Sequence, residues 1–149
     1  MIHTVLIAAH AAAGLIAFTA GYLALTRRSA FTVYFWSLIV LVVFLAAVLA
    51  LDWPGLDTTS HAVFTALLVL GGYMIWRATQ ARRLQHTTSP QQQARRIDHI
   101  GFTLIALFDG FVIITALDLG APPWLAAVVG VAGIAAGHTT LGRLKHQPA

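Results

Sequence analysis

Five apolar runs, each close to the length a helix needs to cross a bilayer, take up most of this chain: residues 5–25, 32–51, 60–76, 97–117 and 124–141. A hydrocarbon core about 30 Å thick takes roughly 20 residues of helix. Lipid offers no partner for an open backbone, so such runs must be helical to satisfy their own N–H and C=O groups. Composition leaves little alternative. The 149 residues are 58% hydrophobic and 9% charged, against about 25% charged in soluble domains. Polar surface is too scarce to cover a soluble fold of this size. The expected fold is an all-α integral membrane protein, a five-transmembrane-helix bundle forming a single transmembrane domain over residues 1–149. All five prolines (Pro54, Pro90, Pro122, Pro123, Pro148) fall in the breaks or the tail, where they spare the helix interiors a penalty of about 3 kcal/mol each.

Charge placement gives an orientation. The nine basic residues are Arg27 and Arg28 in the first connection, five arginines in the 77–96 connection, and Arg143 and Lys145 in the tail. The second and fourth connections carry Asp52, Asp57 and Asp118 and no cation. Cytoplasmic loops collect Lys and Arg, so the N-terminus is expected outside and the C-terminus in the cytoplasm. The net charge of +4 then reads as a preference for anionic lipids at the cytoplasmic face, with no nucleic-acid partner. Tyr22, Tyr34, Trp36, Tyr73 and Trp76 fall at inner span ends and Trp53 and Trp124 at outer ends, as an aromatic belt requires. Residues 1–4 hold no Lys or Arg, and Arg27 and Arg28 follow the first span; both features oppose reading it as a cleaved signal peptide. In the 77–96 connection the third helix is expected to run on to Arg82 and Arg83. Ser89, Pro90 and Gln92 read as the cap, first position and capping box of the next helix.

Helices in lipid approach one another through small residues. Gly130, Gly133 and Gly137 share a face of the fifth run, and Ala13, Ala17 and Gly21 share one in the first, beside Gly14. These faces serve either packing within the chain or a homo-oligomer or membrane-complex partner. The set His10, Leu15, Ile16, Ala17 and Gly21 recurs as His99, Leu104, Ile105, Ala106 and Gly110, in a span of opposite direction. Inverted repeats of this kind build many transporters.

Titratable residues inside a span are costly and mark functional positions. Asp109 lies near the middle of the fourth run among apolar neighbours. His10, in the outer half of the first run, lies at a similar depth. The two make a candidate buried polar site, serving proton or small-solute passage, partner binding or helix packing. Asp98 is three turns before Asp109 on the same face and would be the cytoplasmic entry, or else a solvated helix-end residue. His10 and His61 toward the outside, with His99 and His138 toward the inside, also match the two-level arrangement by which a b-type haem electron carrier would hold its cofactor, with Gly14 giving the macrocycle room. His3, His86 and His146 are expected in solvent. With no cysteine, thiolate metal sites are excluded. No phosphate loop, dinucleotide fingerprint or zinc-protease helix is present, so a catalytic role is not expected.

Several elements together resemble a family of small bacterial membrane proteins of unknown function: His10-Ala-Ala-Ala-Gly14, the aromatic run Tyr34-Phe35-Trp36-Ser37, Gly71-Gly72-Tyr73 leading to Trp76-Arg77, and Ile97-Asp98-His99-Ile100-Gly101 after an arginine-rich connection. The resemblance covers residues 1–119. Members of that family usually carry a His-Arg pair in the first connection, where this chain has Arg27-Arg28-Ser29. The resemblance implies the inner membrane of a bacterium, the same span assignment and a role for His10, but no reaction. A histidine ligand supplied by that connection would be missing here.

Overall fold

The computed structural model describes residues 2–56 and 58–120, together with Val128. Among them are four long helices and no strand: α1 (Ile2–Thr26), α2 (Ala30–Asp52), α3 (Thr58–Arg83) and α4 (Pro90–Asp118). All four contain segments long and apolar enough to cross a membrane. The fifth run, 124–141, with Gly130, Gly133, Gly137 and His138, lies outside the described residues.

The helices extend beyond their apolar runs. The chain read as a connection at 77–96 is helical at both ends, which leaves 84–89 between α3 and α4. Ala78 and Ala81 favour continued helix on one side. On the other, Pro90 fits the first turn, where its missing N–H is not needed. The expected capping box takes a different form. The Gln92 side chain accepts from the Thr87 hydroxyl, the Ser89 N–H meets that hydroxyl at 3.4 Å, and the Gln93 N–H reaches the Ser89 carbonyl at 3.0 Å. After α4, Gly120 takes a positive φ of 81°, the left-handed stop that glycine allows at a helix C-terminus.

Residues 1–79 and 80–149 are two compact units. In the first unit, α1 and α2 form an antiparallel hairpin across Arg27–Ser29. The Arg27 N–H bonds the Leu23 carbonyl at 2.7 Å, and the Ala30 N–H bonds the Arg27 carbonyl at 3.2 Å. Small and large residues are segregated across the seam. Ala13, Ala17, Ala20 and Ala24 are buried on α1, and Tyr34, Leu38, Leu41 and Val42 on α2. Alanine lets the α1 backbone come close, and the larger α2 side chains fill the gap, so dispersion contacts hold the pair. The outward faces carry Leu15, Tyr22, Trp36 and Val43, each more than half exposed. That is an apolar exterior around a packed seam, which suits lipid and not water.

α3 approaches α2 at Gly71. A Cβ built there would lie 2.9 Å from Val42 Cγ2, whereas one at Gly72 meets nothing within 4 Å. Gly71 is therefore the close-approach position of that glycine pair. In the second unit, Ile100 and Thr103 of α4 are fully buried, and Arg96 is only 3% exposed.

Candidate functional site

The first unit builds a polar site at the middle of its helices. Leu41 is the central residue of α2, and Gly14 is the central residue of α1. His10 stands one turn before Gly14, on the same face. Its Nδ1 lies 3.0 Å from the Leu41 carbonyl oxygen. A carbonyl only accepts, so Nδ1 is the protonated nitrogen, and in the neutral ring the lone pair sits on Nε2. The same leucine also packs against α1: its Cδ1 is 3.1 Å from where a Gly14 Cβ would stand. Gly14 is thus the space that lets Leu41 come near enough for its carbonyl to meet His10. The Leu41 carbonyl already belongs to the α2 ladder, and its second lone pair takes the imidazole N–H. The bond fixes which face of the ring can take up a proton or a ligand, as backbone carbonyls do for ligand histidines elsewhere.

His61 is positioned differently. Its Nε2 lies 3.0 Å from the Trp53 carbonyl, and its ring meets the Trp53 indole edge-on at 4.4 Å between centroids. Trp53 opens the single 3₁₀ turn Trp53–Gly55 at the end of α2. His61 therefore closes the α2–α3 connection. Leu41 and Trp53, the residues that hold His10 and His61, are twelve positions apart, which is about 18 Å along a helix axis. His10 is thus held at the middle of α2 and His61 at its end.

In the second unit, Asp109 is 7% exposed. Its Oδ2 is shut off from solvent and has no hydrogen-bond partner among the described residues. Such an atom is costly to bury. Eleven residues of α-helix return to within about 20° of the start, so Asp98 and Asp109 share a face of α4, with Asp98 half-buried. The Thr103 hydroxyl, on another face, donates back to the His99 carbonyl at 2.9 Å. His99 is half-buried and His86 exposed. His10 and Asp109 belong to different units. His138 and His146 lie outside the described residues. Among the described residues, no three His, Asp or Glu side chains gather as a metal cluster would require.

The two glycines of the echo between the first and fourth runs have different surroundings. Gly21 is buried, while a Cβ on Gly110, its counterpart, would meet open space. The partners of His10 and His61 are backbone carbonyls, which leave no mark in a sequence. The burial of Arg96 and Gln85 is likewise not legible in a stretch rich in arginine and glutamine. Searches against protein-family models, curated proteins and solved structures match this chain to none of them.

Proposed function

We propose that this chain is a five-span protein of a bacterial inner membrane, N-terminus outside and C-terminus in the cytoplasm. In this reading its intramembrane titratable groups, His10 and Asp109, serve the passage of protons or a small polar solute. The observation that carries the reading is the His10–Leu41 bond at the centre of α2. A histidine used only as packing would gain about 1 kcal/mol from this bond and would have no use for a free Nε2. A histidine that takes up and releases a proton needs one nitrogen held and the other presented. Asp109 adds a second such group: a carboxyl shielded from solvent, with an oxygen that no described residue satisfies. The basic connections, the aromatic belt and the anionic inner leaflet support the orientation.

The test is proton flux into liposomes holding the purified protein and a trapped pH-sensitive dye, under an imposed potential. The wild-type protein should collapse the gradient faster than empty liposomes. His10→Asn and Asp109→Asn should each slow it by about a hundred-fold, the scale of a positioned proton-transfer group, while remaining folded and monodisperse. Wild-type flux equal to that of empty liposomes, or both variants fluxing like wild type, would overturn the proton reading.

A further inference from the structure

The turn joining α3 to α4 has features that the proposed proton path does not use. Residues 58–97 contain five arginines and no Asp or Glu. Of these arginines, Arg82 and Arg83 at the end of α3 and Arg95 in the second turn of α4 are exposed. Arg82 and Arg83 also complement the negative end of the α3 dipole. Arg95 has no such role, because it sits near the positive end of α4.

Two aromatic rings mark the level of these charges along α3. Tyr73 and Trp76 stack at 5.4 Å between centroids, 26° from parallel, and are 43% and 51% exposed. A stacked aromatic pair turned outward gains nothing from the protein interior. It suits the membrane interface, where amphipathic rings sit at headgroup level. Arg83 follows Trp76 by seven residues, about 10 Å along the helix and within about 20° of its face. That rise exceeds the roughly 5–7 Å of one headgroup layer, so the Arg83 side chain reaches back along the helix to meet a phosphate. Arg83 therefore stands within side-chain reach of the lipid phosphates when the rings sit at the hydrocarbon boundary.

The turn itself is held in shape. The Leu84 N–H bonds the Ala81 carbonyl at 3.1 Å, and the Gln85 N–H bonds the Arg82 carbonyl at 3.2 Å. With Thr87 bonded to Gln92, the short connection sets the two basic helix ends at one tip.

We infer that this tip is a binding site for the headgroup of an anionic phospholipid, with Arg82, Arg83 and Arg95 receiving the phosphate and the Tyr73–Trp76 stack lying against the acyl-chain boundary. The chemistry is charge pairing to phosphate by planar guanidinium donors. The inference is independent of proton passage and stands or falls separately.

The experiment uses the full chain with Trp36, Trp53 and Trp124 changed to Phe, so that Trp76 is the reporter. The protein is reconstituted into vesicles of phosphatidylcholine mixed with phosphatidylglycerol, one lipid at a time carrying brominated chains. Brominated phosphatidylglycerol should quench Trp76 at a several-fold lower mole fraction than brominated phosphatidylcholine. Each Arg→Gln change at 82, 83 or 95 should cut that preference, by up to about five-fold. Arg→Lys should retain most of it, and 10 mM inorganic phosphate should leave it unchanged. Equal quenching by the two lipids, or a preference that survives the triple Arg→Gln change, would overturn the site. Displacement by inorganic phosphate would overturn the lipid as its occupant.

Discussion

The imidazole Nδ1 of His10 donates to the backbone carbonyl of Leu41 across the α1–α2 seam, at 3.0 Å. The carbonyl belongs to the central residue of α2, and the same residue's side chain fills the space left by Gly14. One leucine thus sets both the spacing of the two helices and the tautomer of the histidine.

That double role separates the histidine's structural part from its chemical part. His10→Asn keeps a side-chain N–H near the position of Nδ1, whereas His10→Ala does not. Thermal unfolding in mild detergent should show His10→Ala destabilised by about 1 kcal/mol, the net worth of such a bond, and His10→Asn close to wild type. Proton flux should be lost in both. A His10→Asn protein that is as active as wild type would leave the ring with a structural role only.

Gly71 and Gly72 are neighbours with opposite tolerances. Gly71→Ala should destabilise by about 1–3 kcal/mol, the usual cost of overpacking, because its Cβ would meet Val42 at 2.9 Å. Gly72→Ala, with open space around it, should be neutral within about 0.5 kcal/mol or slightly stabilising. Adding Val42→Ala to Gly71→Ala should recover much of the loss. Melting curves of the four proteins decide this, and equal behaviour of the two glycine variants would contradict the packing described.

Asp109→Asn preserves shape and removes the carboxyl. Because Oδ2 has no bond to a described residue to lose, the variant should fold at least as well as wild type, whereas Asp109→Lys, a longer charged group in the same space, should be lost to aggregation or degradation. Size-exclusion profiles of fluorescently tagged proteins read this directly. A strongly destabilised Asp109→Asn protein would show that the carboxyl holds the fold through a bond of its own.

The chain contains no cysteine, so single cysteines report sidedness without background. Ser29→Cys and His86→Cys should react with an impermeant maleimide only in inside-out vesicles, and Gly55→Cys only in intact cells. A fluorescent protein that matures only in the cytoplasm should glow at the C-terminus if five spans are present. A dark C-terminal fusion would make the number of spans even.

The apolar runs by themselves determine the helical class, because a backbone in lipid has few other ways to satisfy its polar groups. Pro90 and the neighbouring Ser89 likewise mark the start of α4 in the sequence. Only tertiary structure decided which residues meet. The small face of α1 could have served any partner; in the folded chain it meets α2. The two glycines at 71 and 72 are equivalent as letters, and only the position of Val42 tells them apart. The sequence places His10 and His61 in different apolar runs, and in the fold His10 reaches the centre of α2 and His61 its end. A sequence records side chains, and both of these histidines are held by backbone carbonyls, whose positions exist only once the helices have packed.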